Sequence, residues 1–384
     1  MPRDRAREGE GDRKTDRSAL ARRMQGEQTA CGPMAVNQSA VIDGPFKSVL
    51  AQSMPDGSVR CGVCAHRCLV RDGRRGICGV RENRAGSLVS LVYGQIAATA
   101  IDPIEKKPLF HAYPGSTAYS IATPGCPFHC RFCQNWEIAQ GPRLGVDIAC
   151  RSMSPHKVVA EAVHCRAHSI AYTYVEPTVF LEFALDTARL ARSAGLSNLF
   201  ITDGYATAPA AALLGEVIDA ANVDLKAFDD RFYRRLCGGR LKPVLDTICA
   251  LRAAGVWLEL TTLVIPGYND SSAELRELTT WIRDEVGPET PWHVSRFFPA
   301  HQMVDLPPTP LASLLGAAEI GLSAGLKHVY IGNAPQLHFE NTLCAGCGTL
   351  LIERSGYSPR SLLTDAGACP RCAKPLAGIG LTRA

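Results

Sequence analysis

Thr123-Pro-Gly-Cys-Pro-Phe-His-Cys-Arg-Phe-Cys-Gln-Asn-Trp136 follows directly on the apolar run AYSIAT that begins at Ala118. A strand breaking into a loop rich in Pro and Gly at its C-terminal end is where parallel α/β sheets collect their ligands. Within the loop, Cys126, Cys130 and Cys133 are spaced C-x3-C-x2-C, with the aromatic Phe132 immediately before the last cysteine. Three thiolates hold three corners of a 4Fe-4S cluster, and with no fourth cysteine nearby in the sequence one iron stays open. The competing reading is a structural zinc site, which needs four protein ligands and would take His129 as the fourth.

Outward from this loop, residues 118–332 alternate β-branched runs with longer amphipathic segments. The expected strands are AYSIAT from Ala118, SIAYTYV from Ser169, NLFIT from Asn198, VDLKAF from Val223, VWLELTTLV from Val256, HVSRF from His293 and HVYIG from His328. Helical sequence separates them. SPHKVVAEAVHCRAH puts Pro155 at a first helical position, and SSAELRELTTWIRDEV offers Ser271 and Glu274 as a capping box. Strand and helix units in this order predict a parallel sheet. Six or seven units are too few for a closed eight-stranded barrel. The expected fold class is therefore α/β, a partial (βα)6-type TIM-like barrel over residues 110–335, with an open doubly wound sheet as the alternative.

Eleven of the sixteen cysteines fall into three compact groups, a pattern of metal or cluster sites in a reducing compartment rather than of disulfides. Cys61, Cys64, Cys68 and Cys78 form C-x2-C-x3-C-x9-C in a module expected over residues 55–95. Its four thiolates suit either tetrahedral zinc or a fully ligated second cluster. Six arginines, Arg60, Arg67, Arg71, Arg74, Arg75 and Arg81, would surround that site with positive charge, as a docking face or as a merely solvated one. Cys344-x2-Cys347 and Cys369-x2-Cys372 have zinc-ribbon spacing and define a module over residues 341–384. Cys150, Cys165, Cys237 and Cys249 fall outside these groups, in helix-like sequence or loops, and read as small buried hydrophobes.

Residues 1–40 are rich in Arg, Asp, Glu and Gly without periodicity and read as a disordered tail, with Met24 and Met34 as alternative starts. No apolar run approaches the roughly 20 residues of a membrane span, and the N-terminus lacks a hydrophobic signal core, so a cytoplasmic protein with no membrane partner is expected. The net charge of +4 resides largely in the arginine-rich start and gives no support for a nucleic-acid partner.

The cluster loop resembles that of the radical S-adenosylmethionine (radical SAM) superfamily. Over roughly residues 55–384 the chain is similar to the glycyl-radical-enzyme activases of the pyruvate formate-lyase activating type, and within them to the AmmeMemoRadiSam system radical enzyme. The resemblance is carried by AIDPIEKKPLFHAYPGSTAYSI, CQNW, AYTYVEPT, VDLKAF and the terminal cysteine pairs. It implies that the open iron binds the amino and carboxylate groups of S-adenosyl-L-methionine, and that Phe132 belongs to the cofactor site. Glu176 matches the acceptor for the methionine ammonium, although Tyr174 and Val175 replace the superfamily's paired glycines. Thr202, Asp224 and Lys226 match pocket residues, while Asp203 departs from the usual Asn. His293 matches a histidine near the ribose. Residue chemistry alone offers blander alternatives: Glu176 as a helix-capping carboxylate before Pro177, Asp224 and Lys226 as a same-face ion pair on a strand, and His293 as a satisfied polar side chain.

The function implied is that of a radical oxidoreductase. It would cleave S-adenosylmethionine reductively to a 5′-deoxyadenosyl radical that abstracts hydrogen from a substrate, with a protein glycine as the activase-like target. Its cofactors would be the 4Fe-4S cluster, S-adenosylmethionine and zinc. Its partners would be a reductant such as flavodoxin or ferredoxin and a protein substrate. Radical modification of a small molecule or of RNA, or a non-catalytic zinc-binding scaffold, are the alternatives.

Overall fold

The structure is a computed structural model and describes residues 46–382. The tail expected over residues 1–40, with Met24 and Met34, lies outside the described residues. Strand β1 (Ala98–Pro103) runs antiparallel on β2 (Thr117–Ala122). Parallel to β2 and in sequence order follow β3 (Ser169–Tyr172), β4 (Ser197–Thr202), β5 (Ala220–Asp224), β6 (Trp257–Val264), β7 (Trp292–Arg296) and β8 (Val329–Gly332). Helices α1 (Pro155–His164), α2 (Leu181–Ser193), α3 (Ala208–Gly215), α4 (Leu241–Ala253), α5 (Ser272–Trp281) and α6 (Leu311–Ser323) make the six crossovers. Because β1 and β8 are the two ends of the strand order, the barrel stays open, as the unit count predicts.

Alternation along the strands separates two surfaces. Ala118, Ala171, Leu199 and Ala220, near the N-terminal ends of β2 to β5, pack with Ile104, Leu109 and Ala112. The segment between β1 and β2 thus plugs that end of the barrel, and three alanines among the strand residues make room for it. Neighbouring residues Ile121, Tyr172, Phe200, Val223, Leu258 and Trp292 belong instead to the larger apolar core.

Helix starts follow the sequence signals. Ser154 Oγ accepts from the Lys157 amide at 3.2 Å ahead of Pro155, and Ser271 Oγ accepts from the Glu274 amide at 3.3 Å. Only half of the expected capping box forms, since the Glu274 carboxylate accepts from the Phe228 amide at 2.8 Å. That bond bears on the segment VDLKAF, which leaves the sheet after Asp224 instead of running to Phe228. Past Asp224 the Lys226 amide donates to the Tyr233 hydroxyl at 2.9 Å, so these backbone donors serve side chains and not a ladder. SIAYTYV likewise ends early, at Tyr172, because Tyr174 turns at φ +64.

The cysteine-rich segment carries two small antiparallel sheets, one of Ala51–Ser53, Val59–Cys61 and Leu69–Val70, the other of Phe46–Lys47, Ser87–Ser90 and Arg81–Arg84. It is fastened to α2 by a buried bidentate pair, Arg81 Nη2 to Glu182 Oε2 at 2.7 Å and Nη1 to Oε1 at 2.9 Å. Arg81 therefore does not belong to the solvated arginine face, whereas Arg67, Arg71, Arg74 and Arg75 are exposed. At the opposite end of the chain, the sheet of Thr342–Leu343, Leu350–Ser355 and Ser358–Ser361 covers the barrel plug. Ile379 exchanges backbone bonds with His111 and Tyr113, and Arg354 donates to the Phe110 carbonyl at 2.7 Å while stacking over its ring. Among the described residues no helix is long and apolar enough to cross a membrane.

Candidate active site

The loop after β2 carries the three cysteines to the C-terminal rim of the sheet. Cys126 and Cys130 are buried and Cys133 is half-buried. Gly125 turns at φ +100, and a Cβ there would meet Val80 at 2.7 Å, so only glycine lets the loop start where it does. Further along, the His129 amide donates to the Cys237 carbonyl at 2.8 Å and the Arg131 amide to the Leu236 carbonyl at 2.9 Å. Both acceptors belong to the π-helical turn Tyr233–Cys237, which clamps the loop from one side. From the other side, Asn135 of CQNW donates to the Tyr174 carbonyl at 2.8 Å and ties the loop to the segment bearing Glu176. The cysteine spacing gives no hint of either clamp.

Glu176 is 2% exposed and caps the turn Pro177–Phe180, accepting from the Thr178 amide at 3.1 Å. The same carboxylate accepts from Thr202 Oγ1 at 2.8 and 2.9 Å and from the Asp203 amide. Burial, then the neighbouring Asp203 charge, hold its carboxyl up at about 7. Lys226 Nζ lies 2.8 Å from Asp203 Oδ1 and 2.7 Å from Asp224 Oδ2. Burial alone would discharge this ammonium, but the two carboxylates keep its pKa well above the usual lysine value. Asp203 Oδ2 completes the group, 3.5 Å from Cys126 Sγ. Cys126, Glu176, Thr202, Asp203, Asp224 and Lys226 therefore form one connected set.

Two expected cofactor residues stand apart from that set. His293 Nε2 is 2.7 Å from Glu259 Oε2, and its ring meets Phe110 edge-on and stacks on Tyr330, all buried. Phe132 is buried against Phe232 with centroids 5.9 Å apart. Conversely, sequence alone undervalues Asp203, whose place beside both Cys126 and Lys226 comes from the adjacency of β4 and β5 to the cluster loop. Cys237, expected to be a partnerless hydrophobe, has its thiol hydrogen-bonded to Cys130, which with burial pushes the Cys130 thiol well up.

Donor geometry separates the three cysteine groups. Among the described residues, only Cys344, Cys347, Cys369 and Cys372 bring their ligand atoms all within 4.8 Å of one another. Their sulfurs pair at 3.5 and 3.6 Å, and the Gly346 and Arg371 amides donate to Cys344 and Cys369 at 3.4 Å. This set fits a single tetrahedral ion. Among the described residues, Cys126, Cys130 and Cys133 with His129 do not gather in that way, in contrast to the C-terminal four. Burial, then Cys130, push the Cys133 thiol up to about 12, and burial then Asp203 push Cys126 well up, so ionisation there calls for a metal's positive charge.

A family model described as the radical SAM superfamily matches residues 120–279, from within β2 into α5 and so across the loop and the whole connected set. The chain belongs to the radical SAM superfamily. An uncharacterised protein of Methanocaldococcus jannaschii is 43% identical to it over 320 residues, spanning 83% of this chain and 94% of its own. The pyruvate formate-lyase-activating enzyme of Clostridium pasteurianum is 23% identical over 163 residues, 42% of this chain and 67% of that one. A solved radical SAM methyltransferase from Sphaerobacter thermophilus superposes on 62% of this chain and 71% of its own, with a TM-score of 0.46 and 17% identity. As a radical SAM protein the chain has the chemistry of the superfamily, a 4Fe-4S cluster acting on S-adenosylmethionine.

Proposed function

We propose that the chain is a radical SAM enzyme of activase type that removes hydrogen from a protein substrate, with a glycine Cα as the target. When bound, the cluster and S-adenosylmethionine supply one-electron cleavage of the sulfonium and a carbon radical able to abstract hydrogen. Cys126, Cys130 and Cys133 hold the cluster and leave one iron for the nucleotide's amino acid end. The observation that carries this reading is the charge around Cys126: Asp203 and Asp224 hold a single buried ammonium, Lys226, and a third carboxylate, Glu176, accepts from the Asp203 amide beside them. Such a rim attracts a ligand with ammonium and sulfonium charges, and Glu176 accepts the ammonium. Asp203 and Asp224 hold Lys226 in place, and the clamps on the loop keep its thiols fixed. The likeness to the Clostridium activating enzyme supports the choice of a protein glycine. A flavodoxin or ferredoxin supplies the electron, and the C-terminal cysteines hold zinc.

The test is deuterium transfer. Reduced enzyme is given S-adenosylmethionine and the encoding organism's protein fraction labelled with α-deuterated glycine. 5′-Deoxyadenosine carrying one deuterium is expected, and it should vanish in Cys126→Ala. Unlabelled 5′-deoxyadenosine formed at an unchanged rate would overturn the glycine assignment.

A further inference from the structure

The cysteines of the N-terminal module form a different kind of site from those of the C-terminal one. Cys61, Cys64, Cys68 and Cys78, with Val63, Val179, Arg81 and Thr178, line a small recess. Zinc bound to four thiolates at about 2.3 Å would draw the sulfurs to roughly 4 Å from one another. The C-terminal four already lie within 4.8 Å of one another, and among the described residues they alone do. The N-terminal four stand around a recess instead.

Two of the residues that line it, Arg81 and Thr178, each carry a buried donor without a partner. Arg81 spends both terminal nitrogens on Ser48 and Glu182, yet its Nε has no acceptor, and Thr178 Oγ1 has none either. Arg81 is 2% and Thr178 1% exposed, so neither donor reaches water, and an unmet buried donor is costly. A four-thiolate zinc ion would draw the sulfurs together and close the space between them, whereas an anionic cluster with inorganic sulfides at its corners would need that space and would bring acceptors to its lining. The Ile77 amide donates to Cys68 Sγ at 3.4 Å, an N–H to sulfur contact of the kind that stabilises a metal-bound thiolate.

We propose that Cys61, Cys64, Cys68 and Cys78 hold a second, fully thiolate-ligated 4Fe-4S cluster. It lies directly behind the first site. The Cys78 carbonyl is 3.2 Å from where a Cβ on Gly125 would sit, and His66 Nε2 is 3.0 Å from the carbonyl of Pro127, between the first two central cysteines. Arg143 bridges the two loops, donating to the carbonyls of Ile77 and Cys126. Thr178 follows Glu176 by two residues, so a single turn separates the recess from the nucleotide carboxylate.

The test is metal and sulfide analysis of the full chain after anaerobic reconstitution with iron and sulfide. Wild type should hold about eight irons and eight sulfides, and the Cys126→Ala, Cys130→Ala, Cys133→Ala triple variant about four of each. The triple variant should also give a reducible paramagnetic signal, lost when Cys61→Ser and Cys64→Ser are added. A folded triple variant with no iron and two zinc ions per chain would overturn the proposal. Should the triple variant not fold, Cys61→Ser with Cys64→Ser in the otherwise intact chain must lower iron by about half, and unchanged iron there overturns it equally. Failure of the radical reading has a different signature: wild type and triple variant would then hold the same iron.

Discussion

The Cys126 thiol donates to Asp203 Oδ2 at 3.5 Å, and the other oxygen of that carboxylate lies 2.8 Å from Lys226 Nζ. Once Cys126 is a metal-bound thiolate, a carboxylate at this distance adds negative charge beside the cluster, and Lys226 offsets only part of it. Asp203→Asn removes that charge while Lys226 keeps Asp224. The cluster's reduction potential should rise by on the order of tens of millivolts, since net charge near a cluster is among the determinants of its potential. Redox titration of the paramagnetic signal measures this. An unmoved or lowered potential would show that Asp203 acts only by holding Lys226.

Arg81 and Glu182 provide a stability prediction. Burial alone would raise the Glu182 pKa, but the Arg81 charge and its hydrogen bonds lower it below the ordinary value. A depressed carboxyl contributes stability above its unfolded pKa and loses it as the pH falls through the folded one. Wild type should therefore lose stability as the medium is acidified below the usual carboxylate range. Glu182→Gln, which strands a buried guanidinium, should cost about 3–5 kcal/mol near neutrality and flatten that acid dependence. Denaturant midpoints across pH report both. A Gln variant as stable as wild type at neutral pH would mean that the pair does not anchor the module.

The partial barrel was legible in the sequence because each strand is short, β-branched and bounded by an amphipathic helix, and six of the seven parallel strands lie where the apolar runs put them. The exception in position, VDLKAF, is instructive. Lys226 and Phe228 read as strand by alternation, but their amides are taken by Tyr233 and by Glu274, residues 7 and 46 positions away. No local pattern encodes partners at that range. β1 and the plug between β1 and β2 were not predicted, since IDPIEKKP carries Pro and charge where a strand signal wants neither. His293 was placed with the cofactor by family likeness, while its buried partner Glu259 sits 34 residues earlier on β6. Asp203 was discounted for departing from that likeness, yet it joins the cluster loop to Lys226.

Removal of the C-terminal metal should act on the fold and not on the central loop. The four sulfurs there are already drawn together, and their sheet seals the barrel plug through Ile379 and Arg354. Replacing Cys344 and Cys369 together should abolish the bound zinc and lower solubility, because metal binding supplies folding energy to so small a module. The cluster absorbance of Cys126, Cys130 and Cys133 should persist in whatever protein stays soluble. Full zinc content in the double variant would refute the site.

Glu176 caps the turn that follows it, and in the function proposed it also receives the nucleotide's ammonium; its titration distinguishes the two roles. The two oxygens offer about four acceptor positions, and the Thr178 amide, the Thr202 hydroxyl and the Asp203 amide fill three, which leaves room for one ammonium hydrogen. Removing that charge-assisted bond in Glu176→Ala should cost on the order of 1.5–3 kcal/mol, or roughly one to two decades of S-adenosylmethionine affinity, with the cluster retained. Because burial and Asp203 hold the carboxyl up at about 7, it is mostly protonated somewhat below neutrality and ionised above. Nucleotide affinity should accordingly rise with pH across neutrality in wild type, and the step should be absent in Glu176→Gln, which keeps an acceptor for the cap but carries no charge. Binding of the cationic nucleotide stabilises the ionised form, so the midpoint measured at saturating nucleotide should lie below that of the free enzyme. Titration of the nucleotide against the open-iron paramagnetic signal, at several pH values and in all three proteins, reads each of these outcomes. Equal affinities and equal pH profiles in wild type and Glu176→Gln would leave Glu176 as a helix cap and nothing more.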